Sequence, residues 1–140
     1  MVDSSPFRQD HQDIVELVTQ LEGLLDAESL TVDASLTYEL LGVLATRLVT
    51  HLDREDDVIY PQLVTHKVES VRAMAQLLKK RVGGLERTFR SYVDDWSSAS
   101  LIQESPKKFI AETKGLLRVL KMRIKREDEE LYPLVDRYTA

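Results

Sequence analysis

The chain has 140 residues, 43% of them hydrophobic, which suits one domain with a real core and is too little for two comfortable ones. Its 24 acidic residues against 19 basic ones give a formal net charge of -5, so no overall field draws it to nucleic acid or to an anionic membrane. It contains no cysteine, which excludes disulfides, Fe–S clusters and thiolate zinc sites and leaves metal binding to histidine and carboxylate oxygen.

The first residues, MVDSSPFRQDHQD, are polar and carry no signal-peptide pattern. No apolar run approaches the roughly 20 residues of a membrane span, so the cytoplasm is the expected location. Ser5-Pro6 places a capping hydroxyl before a proline at a first helical position. A helix is predicted from there over about 6–26, with Phe7, His11, Ile14, Val18, Leu21 and Leu25 on one face. A second stripe, Leu40, Leu44, Leu48, His51, Glu55 and Ile59, predicts a helix over 33–59 that stops where Tyr60-Pro61 disfavours helical geometry. The third, over 68–97, runs through Val71, Met74, Leu78, Arg81, Leu85, Phe89, Tyr92 and Trp96, with Gly83-Gly84 as a weak point. After a Ser-rich connection with room for one helical turn at 99–104, Ser105-Pro106 opens a fourth helix over 106–131. Its stripe is Phe109, Thr113, Leu116, Leu120, Arg123, Glu127 and Leu131. Four such helices with short links predict an all-α, up-down-up-down four-helix bundle filling residues 1–140 as a single domain.

Charged groups on those stripes are the informative feature. His11, His51, Glu55, Arg81, Arg123 and Glu127 interrupt faces that otherwise read Leu, Val, Ile and Phe. Charges in a bundle interior are costly unless they pair or bind a metal, so they are expected to meet one another. His51-x3-Glu55 stacks two side chains one turn apart, and Arg123-x3-Glu127 repeats the geometry. The copies HLDREDDVIYP (51–61) and RIKREDEELYP (123–133) share Arg-Glu-Asp and an apolar-Tyr-Pro ending.

A histidine in the first helix, H-x3-E followed by apolar-Tyr-Pro in the second and a further copy in the fourth resemble the hemerythrin-like (HHE cation-binding) family over almost the whole chain. The resemblance implies a bundle with two irons bridged by an oxygen species and two carboxylates, the other ligands being histidines from all four helices. Carried over, His11, His51, Glu55 and Glu127 are the retained ligands. Arg123 stands at the fourth-helix histidine and Arg81 near the third-helix one. Guanidinium has no lone pair and cannot ligate a metal, but it can take the place of a cation between two carboxylates. The pattern therefore implies a member without a di-iron site.

Two forms follow from the residues. In one, His11, His51, Glu55 and Glu127 hold a single divalent ion, with Fe, Mn, Zn and Ni all compatible and the resemblance pointing to iron. In the other no metal is bound, and the arginines, glutamates and histidines form a buried network. Lost ligands and charged surroundings favour the second. Tyr60 and Tyr132 are expected to close the bundle end, with hydroxyls in reach of a site carboxylate.

Plainer readings stand beside these. His11 alone reads as a first-turn surface histidine, His51 with Glu55 as an exposed pair, and Arg81 as part of a solvated face with Lys79 and Lys80. The runs REDD and REDEE read as solvated helix, His66 as an exposed loop histidine, and Phe89, Tyr92 and Trp96 as core. The spacing is not that of ferritin-like E-x-x-H sites, and HExxH, P-loop and GxGxxG motifs are missing. Lys79, Lys80, Arg81, Arg87, Arg90, Lys121, Lys125 and Arg126 make a local basic patch, but interleaved acids disfavour nucleic acid. The expected function is a non-catalytic binding or regulatory module, with a protein partner or a second copy as its counterpart. A mononuclear metal sensor of oxygen, nitric oxide or iron is the alternative, and a di-iron oxygen carrier is disfavoured.

Overall fold

The computed structural model describes residues 2–82 and 84–139. Four helical rods make up the protein, and among the described residues there is no strand. The first rod is α1 (Ser5–Glu22), which buries Phe7, His11, Ile14, Val18 and Leu21, the stripe its sequence predicts. A short α2 (Ala27–Val32) follows, capped by Asp26, whose carboxylate accepts from the Ser29 N–H at 3.0 Å; its D-x-x-S signal went unread in the sequence. The second rod is α3 (Ser35–Arg54), and the third is α5 (Glu69–Val82) with α6 (Leu85–Asp95). The expected turn at 99–104 is α7 (Ala99–Glu104), and the fourth rod begins with α8 (Pro106–Arg126).

Cross-helix contacts fix the direction of the rods. Asp10 meets Arg54 while Asp13 meets Arg47, so α1 and α3 run antiparallel. Arg8 meets Asp136 while Glu22 meets Lys121, which sets α1 antiparallel to the fourth rod. This is an all-α bundle, as the sequence predicts. Among the described residues, no helix is long and apolar enough to cross a membrane.

The second and fourth rods do not stop at Tyr-Pro. Each passes through a π-helical turn, Glu55–Ile59 and Glu127–Leu131, and continues as α4 (Tyr60–Val64) and α9 (Tyr132–Tyr138). The Tyr60 N–H donates to the Glu55 carbonyl five residues back, and Tyr132 does the same to Glu127. The wider turn spares Pro61 and Pro133 the clash a proline ring makes inside an α-helix, so the repeat encodes a bulge rather than an end.

Other local expectations are corrected too. Ser4, not Ser5, is the N-cap of α1, and neither Ser4 nor Ser105 caps through its side chain; the Ser4 hydroxyl accepts from Arg8 Nε instead, at 3.2 Å. The third helix is divided. Gly84 takes φ 93°, a left-handed conformation that glycine adopts without a Cβ penalty, whereas Gly83 lies outside the described residues. In α5 the buried positions are Val71, Ala75 and Leu78, with Met74 42% exposed. Val71 and Leu78 are buried as predicted, and Ala75 takes the place expected for Met74.

Two apolar cores result. One gathers Ile14, Val18, Leu44, Leu48, Phe89, Phe109 and Leu120 in the middle of the bundle. The other gathers Phe7, Ile59, Tyr60, Leu63, Leu78, Leu131 and Tyr132 around the π-turns. Between them lies a polar layer of His11, His51, Glu55 and Glu127, all buried.

Candidate metal centre

Each side chain of this layer is delivered by a structural feature already described. α1 supplies His11, the last turn of α3 supplies His51, and the π-turns open on Glu55 and Glu127. Both carboxylates are therefore aimed inward at the point where each helix widens, a recurrent use of π-bulges at functional sites. One donor atom from each of the four residues lies within 4.8 Å of every other.

Proton accounting shows where the lone pairs of the cluster point. His11 Nδ1 is 2.8 Å from Asp128 Oδ1, and His51 Nδ1 is 3.0 Å from Asp10 Oδ2. An ionised carboxylate only accepts, so both Nδ1 atoms carry protons and both Nε2 atoms face inward. The two Nε2 atoms are 3.0 Å apart, and Glu127 Oε1 is 2.9 Å from that of His11. Tyr132 adds a fourth lone-pair atom: its hydroxyl donates to Glu55 Oε2 at 3.0 Å while the oxygen faces His11 Nε2 at 3.0 Å. Neutral imidazoles so placed point lone pairs at one another. A proton or a metal cation at the centre removes the repulsion.

The electrostatics agree. Burial disfavours charge on His51, yet hydrogen bonds with Glu127 and Glu55 outweigh it and push the imidazole up to about 10. Burial raises Glu55 to about 7. Burial acts the same way on Glu127, but its bonds with His11 and His51 and the Arg123 charge hold it well below the usual carboxylate range. Burial and the two glutamates push the Tyr132 phenol far up, which keeps it a donor.

Arg123 takes the place the sequence assigns to it. Its Nη2 is 3.5 Å from Glu55 Oε1 and its Nε is 3.3 Å from Glu127 Oε2, so one guanidinium spans the two carboxylates. Arg81 does not join them. It is exposed, two turns after Met74 on the same exposed flank of α5. Tyr132 reaches the cluster, while Tyr60 does not: among the described residues Tyr60 Oη has no hydrogen-bond partner, and neither has Glu55 Oε1. His66 is half-buried, donating from Nε2 to the Tyr138 carbonyl at 3.1 Å and accepting the Val68 N–H at Nδ1.

Two of the cluster's partners, Asp10 and Asp128, are not foreseen by the sequence reading. Asp128 lies within REDEE, read as solvated face, and Asp10 immediately precedes His11. An acid beside each ligand of a suspected site was the signal available. Phe7 roofs the layer, its ring 6.1 Å from that of His51 and 6.2 Å from that of Tyr132. A crevice of about 200 Å³ between α1 and α3, lined by Asp10, Thr50, His51 and Arg54, reaches the cluster from outside.

The family model of the hemerythrin HHE cation-binding domain matches residues 3–135. The chain belongs to that family. No curated protein and no solved structure matches it. Within this hemerythrin-like bundle, two imidazole nitrogens and two carboxylates, one of whose oxygens, Glu55 Oε1, makes ion-pair contacts but no hydrogen bond among the described residues, form a donor set that can hold a divalent cation. The aspartates behind the histidines are the outer partners such ligands commonly have, fixing the tautomer and raising basicity.

Proposed function

We propose that this hemerythrin-like protein holds one divalent metal ion, iron foremost, through His11 Nε2, His51 Nε2 and the carboxylates of Glu55 and Glu127. Arg123 serves as the second cation in place of a second metal, and the protein works as a binding or regulatory module, not as an enzyme or a di-iron oxygen carrier. The observation that carries the reading is the pair of Nε2 atoms facing each other at 3.0 Å, each ring anchored by an aspartate at Nδ1. That arrangement supports a metal more strongly than the sequence alone did. When bound, the ion supplies a site for a small diatomic or anionic ligand. The chain's own residues orient the imidazoles, seal the layer under Phe7 and keep Glu127 ionised.

A metal-free Arg/Glu/His network is the second reading, supported by the guanidinium that already spans both glutamates and by a His51 that holds a proton without metal. Elemental analysis of untagged protein purified without chelator separates the two. About one ion per chain, lost on His51→Ala, supports the mononuclear site. Less than about a tenth of an ion, with no uptake of added Fe(II), Mn(II) or Zn(II), leaves the network alone. About two ions per chain would overturn both.

A further inference from the structure

A groove of about 980 Å³ runs between α6 and α8, apart from the crevice that reaches His51. It falls at the upper end of the range typical of pockets for small organic ligands. One end is closed: Trp96 Nε1 donates to Glu112 Oε2 at 2.7 Å, and Tyr92 and Thr113 share a hydrogen bond beneath it. From there the groove runs on past Leu85 and Arg87 at the start of α6 and past Arg123 and Arg126 at the end of α8.

Charge is segregated along this groove. Its acids, Asp95 and Glu112, belong to the closed end, since Asp95 ends α6 and Glu112 lies in the first turns of α8. Its cations, Arg81, Arg87, Arg123 and Arg126, belong to the open end. Arg123 is engaged with Glu55 and Glu127, and Arg126 lies 3.8 Å from Glu130. Among the described residues, Arg81 and Arg87 make no ion pair. Between the poles the wall is apolar: Leu85, Leu116 and Val119, the last 53% exposed. At Gly115 an added Cβ would meet nothing within 4 Å, so the space is open rather than filled by a neighbour.

From these features we infer that the groove binds a small amphiphilic organic anion, a carboxylate on an apolar body. The head is held by Arg87, Arg81 and Arg126, and the body lies over Leu85, Leu116 and Val119. From Leu116 to Arg123 the helix rises about 1.5 Å per residue, roughly 10 Å in all, which matches an acyl chain of about eight carbons. The segregated charge selects for the head: a neutral amphiphile gains the apolar contact alone, and a bare anion gains only screened attraction to exposed arginines. The site shares only Arg123 with the buried layer, and neither the proposed head contacts nor the apolar wall includes a residue of the metal reading's ligand set.

Calorimetric titration of the full chain with octanoate, with 1-octanol and acetate as controls, tests the inference. Octanoate is expected to bind saturably with a Kd below about 1 mM, and both controls at least about tenfold more weakly. Arg87→Gln with Arg126→Gln should weaken octanoate at least about tenfold, and Gly115→Phe should abolish its binding by filling the groove, each with an unchanged circular dichroism spectrum. Arg87 and Gly115 are exposed and Arg126 is half-buried, so none of the three substitutions enters the apolar core. Octanol binding as tightly as octanoate, indifference to either variant, or no saturable binding would overturn the inference. So would a concentration-dependent dimer that Gly115→Phe abolishes, which would give the groove to a second copy of the chain.

Discussion

His11 and His51 face each other through their Nε2 atoms at 3.0 Å, and each is backed by an aspartate from a different helix: Asp128 behind His11, Asp10 behind His51. The aspartates hold the Nδ1 protons and so decide which nitrogen is offered to a metal. Asp10→Asn and Asp128→Asn keep the shape and remove the charge. Each is expected to lower metal affinity by about 10- to 100-fold, measured by competition with a chromophoric chelator. The chelated proteins should melt close to the parent, since both aspartates are partly solvated. Unchanged affinity in both variants would remove the aspartates from the metal argument.

Arg123 offers a sharper test of charge balance. Its guanidinium faces two buried carboxylates, Glu55 and Glu127, and its own side chain is only 10% exposed. Arg123→Met leaves both glutamates with the histidines as their remaining cations. In chelated protein the expected loss is about 3–5 kcal/mol, the cost of stranding a buried charge, read from urea unfolding. A divalent ion in the site replaces much of the missing positive charge, so the loss should shrink when metal is added. A loss of the same size with and without metal would count against an ion between the glutamates.

The buried polar cluster is legible because His11, His51, Glu55 and Glu127 interrupt apolar stripes and the last three fall in a repeat. Periodicity finds the buried face of a helix, and a polar residue on it must have partners. It does not say which residue of another helix those partners are, so the pairing of Asp10 with His51 and of Asp128 with His11 does not follow from it even though an acid stands beside each position. Tyr-Pro was read as a helix end because a proline clashes inside an α-helix. A turn with one residue more avoids the clash, and nothing local in the sequence distinguishes the two outcomes. Arg81 was misplaced by the register of α5: choosing Met74 instead of Ala75 as the buried position tilts the predicted face toward the arginine's flank. The groove between α6 and α8 was hinted at only by a basic patch, since the separation of two helices is not written in the periodicity of either.

The pH dependence follows from the same cluster. In metal-free protein His51 is raised from 6.5 to about 10, so its contribution to stability is fully present below 6.5 and lost as pH rises through 10. Glu55, raised from 4.5 to about 7, contributes below 4.5 and loses that contribution as pH rises through 7. Glu127 is depressed and acts the other way, its contribution present above 4.5 and lost in acid. From mildly acidic to alkaline pH, these groups make the chelated protein less stable as pH rises. Metal binding requires the deprotonated ligands, so it strengthens over the same window. The melting-temperature difference between metal-loaded and chelated protein is expected to widen from about pH 5 to about pH 8, read by differential scanning calorimetry. A constant difference would mean that the added metal binds elsewhere.

The two tyrosines of the repeat separate structural from polar roles. Tyr60 and Tyr132 occupy equivalent places after their π-turns and are each 1% exposed or less. Only Tyr132 has work for its hydroxyl, donating to Glu55 Oε2 at 3.0 Å and touching both Nε2 atoms. Tyr132→Phe leaves a buried carboxylate oxygen without its donor and is expected to cost about 1–3 kcal/mol in the chelated protein. Tyr60→Phe removes a buried hydroxyl that has no partner among the described residues, so it relieves a desolvation cost and should be neutral or stabilising by up to about 1 kcal/mol. Chemical denaturation of both variants measures the contrast. Equal losses would show that the hydroxyls do not differ in their bonding, and with that the proton count around His11 and His51 would fail.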